Sequence, residues 1–145
     1  MINYWLLKTE PSTYSYTDLE RDKRTVWDGV TNPLARKHLR SMKKGDLVLI
    51  YHTGEEKQVV GIAEVLTDPY PDPNKKDPRF VVVDLKPRRR LQREVLLAEI
   101  KKRREFTEPD ESGDVFALVR IGRLSVVPVS KSRWQRLCEL GQVTT

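Results

Sequence analysis

The sequence predicts an α+β fold in which helices cover a small mixed sheet or barrel. Five or six short apolar runs have the length and composition of β-strands, and two or three segments show the apolar spacing of amphipathic helices. The two kinds of segment do not alternate regularly, which argues against a doubly wound parallel sheet. The chain has 145 residues, the length of one domain with a sizeable core.

The predicted strands are apolar runs bounded by turn residues. Residues 47–51 suit a central strand, and the polar loop 52–57 leads to a second run in which Gly61 marks a bulge or close packing. Residues 67–79 contain four prolines, so we expect an irregular surface segment there. The remaining predicted strands are residues 2–8, 80–86, 116–121 and 124–129. Pro87 follows the second of these, and Pro128 restricts the last to a sheet edge or a bulge.

Capping residues mark the predicted helices. Ser15 with Asp18 resembles a capping box that opens a single turn, and Asn32 with Pro33 begins a helix of about ten residues. Ser130 begins a third helix, whose apolar stripe ends near residue 141. A further helical pattern covers residues 95–104.

Charge and cysteine content limit the classes of function. Lysine and arginine total 27 against 21 aspartate and glutamate residues, so the formal net charge is +6 at pH 7. Such an excess suits a polyanionic partner such as nucleic acid, and it also suits a protein that is merely soluble. One cysteine and two histidines provide few members for a zinc site or a Ser-His-Asp triad, and we expect no metal and no cofactor.

The sequence shows no membrane or export signal. No apolar run approaches the roughly 18 residues of a membrane-spanning helix. The N-terminus has neither the basic start nor the apolar stretch of a signal peptide. We therefore expect a cytoplasmic protein with no membrane partner, and we favour a monomer.

The most informative stretch is residues 27–36, where a tryptophan precedes a glycine turn and a helix start. Its first half is predicted to be a loop. Trp27 there is either a core side chain or a platform for a flat ligand, whereas Trp5 and Trp134 lie in apolar patterns typical of core. Asn32 carries a donor and an acceptor that can read a base edge, or its side chain caps its own helix.

Four stretches occur in the order typical of one known family. They are Tyr-Trp-Leu-Leu-Lys-Thr-Glu-Pro at residues 4–11, Trp-Asp-Gly-Val-x-Asn-x-x-Ala-Arg at 27–36, Lys-Gly-Asp with its strand at 44–52, and residues 118–129. The chain resembles the EVE domain family of the PUA-like group over nearly its whole length. The resemblance implies a single domain, residues 1–145, with a PUA-like pseudo-barrel of five to six mostly antiparallel strands and flanking helices.

The resemblance also implies a function, because the related YTH and ASCH domains accept single nucleobases in their pockets. We expect a non-catalytic reader that binds a modified base of DNA or RNA, single-stranded or flipped from a duplex. The implied pocket residues are Lys8, Thr9, Glu10, Pro11, Trp27, Val30, Asn32, Tyr51, His52 and Thr53. Candidate phosphate contacts are Arg36, Arg88, Arg89, Arg90 and Arg93.

Ordinary structural roles compete with these assignments. The corner at residues 8–11 can be a salt-bridged turn, His52 a structural histidine, and the arginines a solvated face. Two other functions also stay open. Some ASCH relatives are implicated in amide hydrolysis with lysine, threonine and glutamate, as in Lys8, Thr9 and Glu10, although neighbours on a strand point to opposite faces. A small-ligand or protein-interaction module predicts binding that salt does not weaken.

Overall fold

The computed structural model describes residues 1–145, in which a curled sheet is flanked by helices. The strands are β1 (Tyr4–Thr9), β2 (Thr25–Trp27), β3 (Leu47–His52), β4 (Gln58–Val65), β5 (Tyr70–Pro71), β6 (Val81–Leu96) and β7 (Val126–Val129). The helices are α1 (Tyr16–Asp22), α2 (Pro33–Arg40), α3 (Leu97–Ile100), α4 (Arg104–Thr107), α5 (Ala117–Arg120) and α6 (Lys131–Leu140). None of the helices has the length and apolar character needed to cross a membrane.

Six strands follow one another across the sheet in the order β2-β6-β4-β3-β1-β7, and the two-residue β5 pairs with β6. Only β1 and β3 are parallel; the other neighbours are antiparallel. Strand β3 is central and all six of its residues are buried, as its continuous apolar run predicts. This mixed half-barrel with flanking helices confirms the α+β class and the mostly antiparallel pairing.

Helix α2 lies across the open side of the half-barrel. It packs against β6 and against β7, which lie near opposite ends of the strand order. Ala35 and Leu39 are its fully buried side chains, and Met42 continues the apolar face after the helix. Because the helix contacts both sides of the curled sheet, its N-terminus is held at the rim where strand β2 ends.

Strand β6 differs from the sequence prediction. We expected Pro87 to end the strand and a helix to cover residues 95–104, but the strand runs on to Leu96 and α3 has only four residues. Pro87 is tolerated because it lies opposite Ala63 at a register shift, where the hydrogen-bond ladder is interrupted. Leu91 and Val95 are buried and anchor the continuation. The exposed polar residues 88–90 and 92–94 on either side of Leu91 conceal this pattern in the sequence.

Two shorter elements also differ from their predictions. Residues 116–121 form the single turn α5 instead of a strand, because Phe116 and Leu118 insert into the core individually without a strand neighbour. Strand β5 lies inside the proline-rich segment that we expected to be irregular, and its Tyr70 pairs with Val82. Pro128 is in β7 at the end of the strand order, as its missing N–H predicts.

The cap and bulge predictions are confirmed in detail. Ser15 and Asp18 form a capping box, with each side chain accepting from the other residue's backbone N–H at 3.0 and 2.9 Å. Gly61 lies at a register shift, and the Tyr16 ring packs so closely on it that a Cβ would collide. The Tyr16 hydroxyl donates to the Ile62 carbonyl at 2.7 Å. Gly61 therefore lets α1 seat directly on strand β4.

Candidate functional site

Trp27 is the last residue of strand β2, so the prediction of a loop at this residue is wrong. It lies opposite Val83 of β6 in an antiparallel pair. Pairing with a strand more than fifty residues away is a tertiary effect that the local sequence does not show. Trp27 is 9% exposed and belongs to the apolar core, and its exposed part lines a cleft of about 360 Å³. Trp27 is therefore a core residue that also lines a cleft, and its use as a platform for a flat ligand stays a prediction.

The cleft around Trp27 has one aromatic wall and a polar rim. The Tyr14 ring meets Trp27 edge to face, with centroids 6.3 Å apart. Its hydroxyl donates to Asp22 at 2.9 Å, and burial raises the pKa of Tyr14 above its usual value. Thr9 is fixed beside it, because its hydroxyl donates to the Tyr14 carbonyl at 2.7 Å. The residues that line this Trp27 cleft are Thr9, Thr13, Tyr14, Thr25, Val26, Trp27 and Asp28.

Sequence reasoning missed most of these cleft residues. Thr25 lies two residues before Trp27 on strand β2 and shares its face, but the sequence did not predict that strand. Tyr14 precedes a capping box, which made it look like a simple loop residue. Its position beside Trp27 depends on how α1 seats on Gly61, which is a long-range contact. The local sequence carries no signal of that contact.

A short loop joins the Trp27 cleft to helix α2. Residues 28–31 form no hydrogen bond within the chain, so their backbone groups and the exposed Asp28 carboxylate are free to bind a ligand. Gly29 has φ 76°, a left-handed conformation that favours glycine. Val30 is 8% exposed and fixes the loop to the core. The loop therefore presents free polar groups from a fixed position next to Trp27.

Asn32 caps helix α2. Its Oδ1 accepts from the Ala35 N–H at 3.0 Å, and Pro33 occupies the first helical position. The carbonyl oxygen is therefore occupied by the helix, while the exposed amide nitrogen has no partner within the chain. The structure assigns Asn32 first to ending the loop that follows Trp27, and it leaves both N–H donors of the side-chain amide available.

The structure divides the other predicted pocket residues among separate places. Thr9 lines the Trp27 cleft, whereas Lys8, Tyr51 and Thr53 line a second cleft. Glu10 and Pro11 lie in a surface depression beside Gly54. The expectation of one pocket is wrong for this corner, since adjacent residues of strand β1 point to opposite faces of the sheet.

His52 is a structural residue that connects strand β3 to the start of helix α1. It is 5% exposed, and its Nε2 accepts from the Tyr16 N–H at 3.0 Å. Its Nδ1 lies 2.9 Å from a carboxylate oxygen of Glu56, and this hydrogen bond lowers the pKa of Glu56. Both ring nitrogens are therefore engaged within the chain. His52 lines neither the Trp27 cleft nor the second cleft, contrary to its predicted place in the pocket.

The arginines at 88–93 are engaged with the protein itself. Arg88 pairs with Glu64 and Arg93 with Glu99, both at 2.8 Å. They also lie further along strand β6 than the partner of Trp27. Trp27 lies opposite Val83, and Arg88 is five residues beyond Val83, about 16 Å at 3.3 Å per residue. In the same cluster, Arg90 contacts Glu20 and Thr17, and Arg89 contacts Thr144.

A different set of cations lies closer to the cleft. Arg36 stacks over the Phe80 ring at 4.8 Å, and Lys75 lies 5.6 Å from the same ring, so helix α2 and the proline-rich segment meet here. Phe80 is three residues from Val83, about 10 Å along the chain from the partner of Trp27. None of these cations forms an ion pair with a carboxylate. This α2 basic face comprises Arg36, Lys37, Arg40, Lys43, Lys44, Lys75 and Lys76.

The architecture defines the fold class of the protein. A curled, mostly antiparallel sheet closed by one helix is a PUA-like α+β fold. An ASCH protein from Zymomonas mobilis shares that fold with a TM-score of 0.55 over 95% of both chains, at 12% sequence identity. At that identity the likeness concerns the fold alone.

The chain belongs to the EVE domain family, whose model matches residues 3–140. Thymocyte nuclear protein 1 of Mus musculus is 30% identical over 95% of this chain and 73% of its own length. A hypothetical protein from Leishmania major superimposes with a TM-score of 0.86 at 36% identity, covering 98% of this chain and 96% of its own. The human THYN1 protein, solved in complex with DNA containing 5-methylcytosine, superimposes with a TM-score of 0.84 at 26% identity over 99% of both chains.

Proposed function

We propose that this EVE domain is a nucleic-acid reader that holds one modified base of DNA or RNA in the Trp27 cleft. The observation that carries the proposal is the cleft itself, in which a mostly buried tryptophan lies beside a loop with free polar groups. The human relative solved with DNA containing 5-methylcytosine supports a nucleic-acid partner. A tryptophan fixed in the core can offer its exposed part to a flat ligand with little loss of side-chain entropy.

Stacking provides affinity that is independent of base identity. A base stacked on an aromatic side chain contributes about 1–3 kcal/mol. Flipping a paired base out of a duplex costs a few kcal/mol, so stacking on Trp27 alone offsets little more than that cost. The domain therefore favours single-stranded or already weakened sites, and phosphate contacts supply the rest of the affinity.

The rim of the cleft supplies groups that read the base edge. The exposed Asp28 carboxylate accepts from an exocyclic amino group, which is the usual partner of a carboxylate at cytosine N4. Thr9 and Thr25 offer hydroxyl oxygens on the cleft wall, and the N–H group of Asp28, which has no partner within the chain, donates to a base carbonyl.

The α2 basic face is the best candidate for the phosphates on either side of the bound base. Its lysines are exposed and have no carboxylate partner, so they can release counterions when they meet phosphate. The cluster at residues 88–93 is a poorer candidate, because Arg88 and Arg93 must first break their ion pairs with Glu64 and Glu99. The helix start at Asn32 connects the basic face directly to the cleft loop.

The geometry does not support hydrolysis of a modified nucleoside by Lys8, Thr9 and Glu10. The Lys8 ammonium donates to the Gly122 carbonyl at 2.9 Å in one cleft, and the Thr9 hydroxyl donates to Tyr14 in the other. The Glu10 carboxylate accepts from the Ser12 hydroxyl at 3.2 Å, outside both clefts. The three groups therefore do not converge on one substrate atom, which general acid–base chemistry needs.

Binding of oligonucleotides to tryptophan variants tests the proposal. Single-stranded oligonucleotides of one sequence, with and without 5-methylcytosine, are titrated in DNA and RNA forms by fluorescence anisotropy. Trp27→Leu keeps an apolar side chain in the core but removes the π-face, and we expect about 5- to 150-fold weaker binding of the modified strand. The affinity of Trp27→Phe for the modified strand should lie between those of wild type and Trp27→Leu.

Trp134→Phe is the matched control, because Trp134 is 1% exposed and lines no part of the Trp27 cleft. It should bind as wild type does, and circular dichroism verifies that every variant is folded. The proposal fails if folded Trp27→Leu binds as tightly as wild type. Equal affinity for modified and unmodified strands across a panel of base modifications would show that the domain binds nucleic acid but does not recognise a modified base.

A further inference from the structure

A second cleft, of about 260 Å³, lies on the other side of strand β1 from the Trp27 cleft. Lys8 and Thr9 are adjacent on the strand and line different clefts, as the alternation of a β-strand requires. Three lysines dominate its polar lining, and the side chains of Leu97, Leu118 and Val119 form an apolar part of the wall. We call it the lysine cleft and define it by Lys8, Lys57 and Lys101.

No carboxylate neutralises the lysine cleft. All fourteen ion pairs of the protein use an arginine or a histidine, and none includes Lys8, Lys57 or Lys101. The Lys8 ammonium is held by the Gly122 carbonyl at 2.9 Å and by the Tyr51 ring, whose centroid is 5.5 Å away. Glu10 lies near Gly54 at the rim and is engaged with Ser12 and Thr53. The cleft therefore keeps an uncompensated positive charge.

The positive charges in this cleft repel one another. Burial, followed by the nearby Lys101 ammonium, lowers the pKa of Lys8 below its usual value. Holding two ammonium groups close together without an anion costs free energy, and an anion placed between them removes that cost. Lys8 is half-buried, whereas Lys57 and Lys101 are exposed. A cluster of one sign of charge that lines a cleft is an arrangement typical of a binding site for the opposite charge.

We propose that the lysine cleft binds a phosphate group. Lysine meets phosphate as a compact point charge, and the three ammonium groups keep up to eight donors for the phosphate oxygens, since Lys8 already donates once to the Gly122 carbonyl. The cleft is smaller than the roughly 300–1,000 Å³ of pockets that enclose a whole organic ligand, so it suits the anionic group and not a complete nucleotide. The phosphate comes either from the backbone of a bound nucleic-acid strand or from free phosphate.

Titration with inorganic phosphate, followed by NMR, tests the site. We expect saturable shifts of the amide signals of Lys8, Tyr51 and Gly122, together with a rise in the pKa of Lys8 because a bound anion favours its charged form. Lys101→Gln should weaken phosphate binding at least fivefold. Lys102→Gln is the matched control, since Lys102 is exposed, carries the same charge and does not line the cleft; it should change the affinity less than twofold.

The Trp27→Leu variant separates this proposal from the base-binding one, because it should bind phosphate as wild type does. An oligonucleotide that displaces the phosphate identifies the strand backbone as its source. Simultaneous binding of both identifies free phosphate instead. Equal weakening by Lys101→Gln and Lys102→Gln would overturn the proposal, since it would show a diffuse charge effect. Shifts that do not saturate would overturn it too.

Discussion

The rings of Tyr14 and Trp27 meet edge to face, with centroids 6.3 Å apart and planes inclined at 82°. Aromatic pairs in this arrangement contribute about 0.5–1.5 kcal/mol beyond their buried area. Tyr14 comes from the segment before helix α1, and Trp27 ends strand β2. The contact therefore holds the tryptophan ring from a second element and fixes the wall of the cleft.

The two parts of the Tyr14 side chain are expected to have different effects. Tyr14→Phe keeps the ring and loses the hydrogen bond to Asp22, which should lower the stability only slightly because this hydrogen bond is exposed, and should change oligonucleotide affinity little. Tyr14→Ala removes the wall and frees the Trp27 ring, so binding of the modified strand should weaken about tenfold. Urea unfolding and fluorescence anisotropy measure the two effects. Similar affinities of Tyr14→Ala and Tyr14→Phe would argue against a role for the ring contact.

Salt dependence distinguishes the α2 basic face from the arginine cluster at residues 88–93. Each lysine that meets phosphate should reduce the slope of log affinity against log salt by about 1 when it is neutralised. The double variant Lys37→Gln with Lys76→Gln should therefore flatten the slope by about 2. Arg88→Gln removes a charge that is already paired with Glu64 and should leave the slope nearly unchanged.

If Arg88→Gln flattened the slope and the lysine double variant did not, the arginine cluster would be the surface that contacts phosphate. A slope near zero in the wild-type protein would instead favour a small-ligand or protein-interaction module, because phosphate contacts are strongly screened by salt. The measurement thus compares the leading function with its main rival in one series of titrations.

Gly61 should tolerate no side chain. A Cβ at this position would collide with the Tyr16 ring, so Gly61→Ala should destabilise the fold by about 1–3 kcal/mol, the usual cost of overpacking. Gly122→Ala is the control, because a Cβ there meets no atom within 4 Å and the backbone is not left-handed. Its effect should stay within about 0.5 kcal/mol in urea unfolding. Equal stabilities of the two variants would contradict the close seating of α1.

The carboxylate of Asp84, which lies opposite Val26 of strand β2, accepts hydrogen bonds from Tyr70 and Arg24. These hydrogen bonds predict how the stability of the fold depends on pH. The Tyr70 hydroxyl, and then Arg24, hold the pKa of Asp84 below its usual value, while the same hydrogen bond raises the pKa of Tyr70 to about 12. Asp84 therefore stabilises the fold above its unfolded pKa near 3.9, and this contribution is lost as the pH falls through its lower folded value. Tyr70 stabilises the fold below pH of about 10, and its contribution is lost as the pH rises from 10 towards 12.

Tyr70→Phe should therefore weaken the dependence on pH at both ends, as measured by urea unfolding between pH 3 and pH 11. Tyr4→Phe is a suitable control, because the Tyr4 hydroxyl forms no hydrogen bond within the chain, and it should keep the wild-type dependence. An unchanged alkaline loss in Tyr70→Phe would show that other groups control stability there.

The local rules of the sequence account for a large part of the fold. Ser15, Asn32 and Ser130 cap helices α1, α2 and α6 as predicted, because a cap needs only the residues that follow it. The apolar run of β3 and the edge position of Pro128 were also readable. The full length of strand β6 could not be predicted from the sequence, because its continuation past Pro87 and the arginines depends on pairing with β4.

In the candidate site, too, one part was predictable from the sequence and another part depended on the tertiary structure. By itself, the sequence determined the family resemblance and selected Trp27, because a tryptophan before a glycine turn lacks the apolar periodicity of a core residue. Only the tertiary structure decided that this tryptophan is both core and cleft wall, that Tyr14 joins it, and that Lys8 belongs to a different cleft from Thr9. Strand alternation determines that neighbours face opposite ways, but which partners lie on each face depends on contacts between residues far apart in the chain.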